Sequence, residues 1–229
     1  MFSFKPGPDP DFPYLNETVN YFFSDPKEWD GDIVSIGGNL SPGMLLSAYE
    51  QGIFPWYNPE DPLIWQSPDP RCVIFPEKLH ISSSMKKIFK NNEYEITFDK
   101  DFFGVMTGCK EIFRPNQGGT WLSDYIIESY MEIYKMGWAH SAESWKDGEL
   151  AGGCYGVLMG KYFVGESMFS RKKNASKAAF LSFAKMLFEK GIEVIDCQVP
   201  TDHLQSLGGE PMSRSDFLKL LKKLKVSRF

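Results

Sequence analysis

The chain is poor in the residues that build metal and redox sites. Its 229 residues hold four cysteines and three histidines. Cys72, Cys109, Cys154 and Cys197 are scattered, with no C-x-x-C and no histidine at zinc spacing. No metal site is expected, and free thiols in a reducing compartment are the simplest reading. No window approaches the ~18 uncharged apolar residues of a membrane span. The opening run MFSFKPGPDPDFPYLNE lacks a basic start and a long apolar stretch, so it does not read as a signal peptide. A cytoplasmic location is the expectation. There is no Walker A loop, no G-x-G-x-x-G and no G-x-S-x-G elbow, which removes the usual nucleotide and serine-hydrolase readings. Internal repeats, low-complexity tracts and a Gly/Ser-rich linker are missing too.

Aromatic residues are abundant. They make up 15% of the chain, with 19 Phe and 6 Trp. Part of that surplus fills a core, and the rest suits a site that grips apolar side chains or stacks on bases. A hydrophobic share of 42% argues for a folded globular chain. The net charge of −5 speaks against nucleic acid, yet local clusters decide phosphate binding more than the total. Lys86, Lys87 and Lys90 fall within about one helical turn. Arg171, Lys172, Lys173 and Lys177 form a second group, and the basic tail from Lys219 to Arg228 a third. Solvated faces and phosphate contacts both remain open for them.

Residues 1–35 have poor periodicity and read as loops. LSPGMLLSAYEQG reads as a helix, with Ser41 as cap, Pro42 in the first turn and Gly52 at the end. IFPWYNPEDPLIWQSPDPR follows, and its prolines are expected to prevent regular strand pairing. From about residue 72 the pattern becomes that of mixed helices and strands. EYEITF alternates like a strand. KDFFGVMTGCKEI and TWLSDYIIESYMEIYKMG read as helices. WAHSAESW, ELAGGCYGVLM and KYFVGES form an antiparallel meander, its first turn set by Asp147-Gly148. NASKAAFLSFAKMLFEKG is a long helix with Asn174 as its expected cap, EVIDCQ a buried strand, and SRSDFLKLLKKLK a final helix. The predicted class is α+β.

Polar groups interrupt two strands that ought to be apolar. Glu166 follows KYFV, and Asp196 and Gln198 follow EVI. Strand alternation places Asp196 and Gln198 on one face, with Cys197 on the other. They either share a site or satisfy loop backbone. Glu166 either holds a ligand or pairs with Arg171 or a lysine. His140 reads as a core histidine with a partner, and His80 and His203 have no partner legible from spacing.

The ordered set of runs is more specific than any one of them. GGNLSP, AYEQGIFPW, SPDPR, LHIS, GTW, GWAHSAESW, GGCYGV, FVGESMFS, NASKAA, DCQ and DHLQSLGGE together resemble the leucyl/phenylalanyl-tRNA–protein transferase family. The resemblance covers about residues 33 to 218. It implies a small N-terminal domain, residues 1–70, and a catalytic domain, residues 71–229. The latter would be like the acyl-CoA N-acyltransferases (GNAT), a mixed sheet flanked by helices. It implies transfer of Leu or Phe, less well Met, from aminoacyl-tRNA to an N-terminal Lys or Arg of acceptor proteins, which marks them for N-end rule degradation. No cofactor, metal or membrane is involved.

By the same resemblance Asp196, Gln198 and Glu166 are the catalytic groups, with Asp196 drawing a proton, Gln198 orienting the amine and Glu166 placing the aminoacyl group. Cys154, Phe163, Met168, Phe180, Phe183 and Ile195 fall on the side-chain pocket. Trp56 and Trp121 fall where the terminal adenosine of the tRNA is received, and Lys87 and Lys90 where its backbone is. Ser83, Asn39 and Gln66 stand where the family pattern has Arg, Asp and Trp. The competing readings are an acyl-CoA N-acyltransferase and a non-catalytic aminoacyl-tRNA or peptide-binding module. The first is disfavoured because SRKKNASK has no glycine to cradle a pyrophosphate.

Overall fold

The computed structural model describes residues 6–28, 31–58, 60–112, 122–224 and 226. Its N-terminal part holds β1 (Ile33–Ile36), α1 (Pro42–Glu50), β2 (Phe54–Pro55) and β3 (Ile64–Gln66). These strands form a small antiparallel sheet in the order β1-β3-β2. The expectation that proline prevents pairing here is corrected. Pro55 sits in β2, an edge strand, where a missing N–H costs no ladder bond.

Ser41 precedes α1 as expected, but its side chain does not cap the helix. Its Oγ donates to Asn39 Oδ1 at 2.6 Å and accepts from Leu15 N–H at 3.1 Å. Gly52 closes α1 at φ +73, and a Cβ there would lie 2.9 Å from Leu218 and 3.0 Å from Phe217. Glycine is needed twice, for the backbone turn and for the close approach of the last helix.

The larger part continues with β4 (Arg71–Ile74), α2 (Ser83–Lys90), β5 (Glu95–Phe98), α3 (Phe102–Glu111), α4 (Asp124–Lys135), β6 (Ala139–Lys146), β7 (Glu149–Met159), β8 (Tyr162–Ser170), α5 (Ala175–Glu189), β9 (Val194–Gln198), α6 (Asp202–Gln205), β10 (Glu210–Met212) and α7 (Arg214–Lys223). Seven strands pair in the order β10-β4-β9-β8-β7-β6-β5. Every pair is antiparallel except β8 and β9, which run parallel across the α5 crossover. The sheet is therefore mixed. The β6–β7 turn has Asp147 at φ 55 and Gly148 at φ 77, the pair of left-handed residues that a two-residue hairpin needs.

Helices cover both faces of the sheet. Leu40, Tyr49, Ile126, Tyr130, Tyr155 and Phe217 belong to one core, shared by the N-terminal part, α4 and α7. Met85, Phe163, Phe180, Phe183 and Ile195 belong to the other, under α2 and α5. Asn174 stands at the N-cap of α5 at φ 64 but makes no cap bond with its side chain. Ser170 takes over instead, its Oγ accepting the N–H of Ser176 at 3.2 Å.

Two bulges prepare the functional region. Tyr155 pairs with Ser167 and Gly156 with Gly165, which leaves Glu166 as the extra residue of β8. Cys72 pairs with Gln198 and Val73 with Asp196, which leaves Cys197 as the extra residue of β9. A bulge turns a side chain off the regular alternation. Parallel pairing of β8 and β9 reaches Val164 and Asp196, and the strands part beyond it.

Candidate active site

A cavity of about 180 Å³ opens where β8 and β9 part. Cys154 of β7, Phe163 and Met168 of β8 and Phe180 of α5 give it an apolar wall. Glu166, Gln198, Thr201 and His203 supply the polar side. The end of a parallel strand pair is where a crossover fold leaves room for a ligand.

Glu166 is buried. Its Oε2 accepts from the Tyr130 hydroxyl at 3.0 Å and its Oε1 from Gln198 Nε2 at 3.0 Å. Tyr130 spends its one proton on Glu166, so the Tyr49 hydroxyl bonded to it is the donor of that pair. Burial pushes the Glu166 pKa up from 4.5 to about 7, and hydrogen bonds from Tyr49 and Tyr130 oppose the rise. Burial and the nearby carboxylate hold the Tyr130 phenol well above 10, so it stays a donor. A carboxylate has about four acceptor positions. Tyr130, Gln198 and the nearby Tyr49 take up most of them, and at least one remains for a cation entering the cavity.

Asp196 sits differently. It is fully buried and does not line the cavity. Arg71 binds it in bidentate fashion, Nε to Oδ1 at 2.8 Å and Nη2 to Oδ2 at 2.6 Å. The Tyr162 hydroxyl donates to Oδ2 at 2.7 Å and the Gln198 N–H to Oδ1 at 2.8 Å. Four donors fill all four acceptor positions. The guanidinium of Arg71 lies between the rings of Phe54 and Phe217, 4.8 and 4.6 Å from their centroids, and also donates to Gly52 O at 3.2 Å.

The expected alternation of Asp196 and Gln198 therefore fails. The bulge at Cys197 and a φ of +64 at Gln198 bring both Cys197 and Gln198 to the cavity and leave Asp196 behind it. With its carboxylate saturated, Asp196 has no oxygen free to draw a proton from the cavity. Its bond to the Gln198 N–H fixes the left-handed backbone that aims the Gln198 amide at Glu166.

Of the expected side-chain pocket, Cys154, Phe163, Met168 and Phe180 line the cavity. Phe183 and Ile195 do not. Phe183 packs edge-on to Phe163, 5.1 Å between centroids, and stacks on Phe98. Ile195 pairs in register with Phe163 and is fully buried. Both support the wall from behind. Trp56 is exposed just after β2, and its carbonyl accepts from Gln66 Nε2 at 2.8 Å. Trp121 lies outside the described residues. Lys87 and Lys90 are exposed in the last turn of α2. Asn39 donates to the carbonyls of Phe12 and Pro13 at 3.0 and 3.2 Å, contacts an aspartate could not make.

Glu166 does not pair with Arg171, which bonds Glu111 at 2.9 Å. His140 has Asp99 Oδ2 2.8 Å from Nδ1. Spacing did not single out Tyr49, Tyr130, Arg71, Tyr162 or His203 as site residues. The tyrosines sit in apolar-periodic runs, and Arg71 gave no signal beyond its place in SPDPR. Among the described residues, no three His, Cys, Asp or Glu side chains gather as a metal site, and no helix is long and apolar enough to cross a membrane.

Comparison with known proteins identifies the family. Residues 73–222 match the family model of leucyl/phenylalanyl-tRNA protein transferase, and residues 38–69 that of its N-terminal domain. A leucyl/phenylalanyl-tRNA–protein transferase of Syntrophobacter fumaroxidans is 47% identical over 194 residues, covering 85% of this chain and 82% of that one. The protein of the same name from Escherichia coli O1:K1 is 46% identical over 196 residues, covering 86% and 82%. Among solved structures, a GCN5-related N-acetyltransferase from Kribbella flavida aligns with a TM-score of 0.41 at 10% identity, covering 76% of this chain and 62% of that one. The family matches define an aminoacyltransferase. The chain belongs to the leucyl/phenylalanyl-tRNA–protein transferase family.

Proposed function

We propose that this chain transfers leucine or phenylalanine, and methionine less well, from aminoacyl-tRNA to the N-terminal Lys or Arg of acceptor proteins, marking them for N-end rule degradation in the cytoplasm. Residues 1–70 form its small N-terminal domain and residues 71–229 its catalytic domain. One observation carries the reading: a buried carboxylate, Glu166, beside a small apolar cavity. An aminoacyl ester offers the matching pair, an α-ammonium next to an apolar side chain.

Glu166 holds that ammonium with the acceptor capacity its tyrosine and amide partners leave open. In a desolvated site such a pairing is stronger than on a surface. The side chain then enters the wall of Cys154, Phe163, Met168 and Phe180. Leu, Phe and Met are slim at Cβ and fit a slot of this kind, whereas Ile and Val are branched there. With Gln198 Nε2 committed to Glu166, its Oε1 is free to accept an N–H of the incoming amine. Asp196, Arg71 and Tyr162 position that amide. Trp56 and Trp121 stack on the terminal adenosine, worth roughly 1–3 kcal/mol per base. Lys87 and Lys90 meet the phosphates of the acceptor stem.

The donor is an ester, already activated, so the reaction draws on no ATP. Holding ester and amine together supplies much of the rate, because effective molarities in oriented pairs are very large. The test is incubation with Phe-tRNA and peptides starting with Lys, Arg, Asp or Glu, read by mass. Added phenylalanine on the Lys and Arg peptides alone is the expected result. Acetylation from acetyl-CoA in place of aminoacyl transfer would turn the assignment to an acyl-CoA enzyme. Bound Phe-tRNA with no deacylated product would turn it to a binding module.

A further inference from the structure

The attacking amine needs somewhere to leave its proton. An N-terminal α-amino group has a pKa of roughly 7.7–8.0, so most of it arrives protonated at pH 7. The cavity offers few bases. Asp196 is saturated by four donors and sits behind the wall. Glu166 already accepts from Tyr130 and Gln198, and in the reading above it must stay with the donor ammonium. Gln198, Thr201 and Ser167 have no useful basicity. Burial pushes the Cys154 thiol far up, and the Cys197 thiol, hydrogen-bonded to Cys72, is raised as well.

Among the described residues, one basic side chain is left on the lining, His203, exposed in the four-residue helix α6. We propose that His203 is the proton acceptor for the incoming N-terminal amine. The inference rests on the aminoacyl-transfer reading of the same cavity. Among the described residues, Lys177 of α5 acts on the ring by charge, Asp202 precedes it in the helix, and Glu166 of β8, Cys154 of β7 and Cys197 of β9 are the other titratable groups on the same cavity lining. Partial desolvation and the charge of Lys177 both lower its pKa below 6.5, which keeps the ring neutral at pH 7.

The step balances without a co-reactant. The excess proton of the ammonium passes to the imidazole and out to solvent. As the nitrogen bonds to the ester carbonyl carbon, its next proton moves to the imidazole. The C–O bond to the ribose then breaks, and the ribose oxygen takes that proton back. The exposed position of His203 suits this exchange with water.

The experiment uses the full chain with saturating Phe-tRNA and an Arg-starting peptide, comparing wild type with His203→Gln and His203→Ala. The expected result is a fall in kcat of about 100-fold or more, typical for loss of a general base, with KM for Phe-tRNA unchanged. The acid limb of kcat should move from below pH 6.5 in the wild type to roughly 7.7–8.0, the ionisation of the amine itself. Added imidazole should restore part of the His203→Ala rate, which a structural role for the side chain does not allow. Variants with wild-type kcat and an unmoved acid limb would overturn the proposal. A loss of kcat with no imidazole rescue and no shift of the limb would overturn it equally. No transfer by the wild type would instead overturn the aminoacyl-transfer reading, so the two failures are distinguishable.

Discussion

Tyr130 of α4 donates to Glu166 of β8 at 3.0 Å, and Tyr49 of α1 donates to Tyr130 in turn. A carboxylate in the sheet is thereby held by a chain of two phenols, the outer one supplied by the N-terminal part. On the other side Arg71 bridges Asp196 to Gly52 O and to the ring of Phe54. Both routes tie the small N-terminal elements to the site, which explains why the two parts share one core.

Tyr130→Phe removes a donor that favours the ionised form of Glu166. The pKa of Glu166 should then climb above its value of about 7. In the proposed function the ionised form holds the ammonium of the free donor, so the acid limb of kcat/KM for Phe-tRNA should move to higher pH. A pH profile of kcat/KM in wild type and variant checks this, and coincident profiles would remove Tyr130 from the site.

Glu166→Gln should separate stability from activity. In the unfolded chain the carboxyl titrates near 4.5, and in the folded protein near 7. The folded state therefore binds more proton between these values, and stability falls as pH rises from 4.5 through 7. The whole shift amounts to roughly 3 kcal/mol at pH 8. Glutamine escapes that penalty. The variant should melt higher than wild type at pH 8, match it at pH 5, and transfer almost nothing at either. Thermal melts at the two pH values, beside an assay, decide it.

Helices α1, α3, α4, α5 and α7 were legible from their caps and apolar spacing, and the meander because Asp147-Gly148 spells out its own turn. The N-terminal sheet was not, since strands of two to four residues are too short for a period to show. β4 hid for another reason: all four of its residues are buried, so nothing alternates. The bulge in β9 explains the misplacement of Asp196. Alternation assumes an unbroken strand, and Cys197 interrupts it. Glu166, by contrast, was visible as a lone carboxylate in an apolar run. Phe183 and Ile195 could not be told from Phe163 and Phe180, because a cavity wall and the layer behind it have the same composition.

Asp196→Asn strands the buried charge of Arg71. Breaking one side of a fully buried pair costs about 3–5 kcal/mol, and urea unfolding should show a loss of that order. Joint replacement, Arg71→Met with Asp196→Leu, should regain most of it, since no charge is left without a partner. Gln198→Ala should cost under about 1 kcal/mol, the size of one ordinary hydrogen bond. All three variants should lose transfer while Phe-tRNA still binds. A fully active double replacement would show that the Asp196–Gln198 bond has no part in aiming the amide.

Lys87 and Lys90 are exposed on one turn of α2 and should act through charge alone. Each phosphate contact contributes roughly 0.7–0.9 to the slope of log affinity against log salt. Alanine at both positions should flatten that slope by about 1.5 and weaken every aminoacyl-tRNA alike. Titration of Phe-tRNA at several salt concentrations measures it. An unchanged slope would move the phosphate path elsewhere on the surface.

The cavity wall should set the donor. Cys154 has a small side chain facing Met168 across β7 and β8, and both line the cavity. Leucine at position 154 would take up part of the roughly 180 Å³ available. A phenyl ring loses more from that than an isobutyl group does. A change of one or two methylenes in an apolar pocket shifts discrimination by roughly 1–3 kcal/mol, or about 10- to 200-fold. Cys154→Leu should therefore lower kcat/KM for Phe-tRNA at least tenfold more than for Leu-tRNA, with the same peptide acceptor. Competition between the two charged tRNAs, read by the mass of the product, gives the ratio directly. Equal losses for both donors would mean that the amino acid side chain lies somewhere other than between Cys154, Met168 and Phe180.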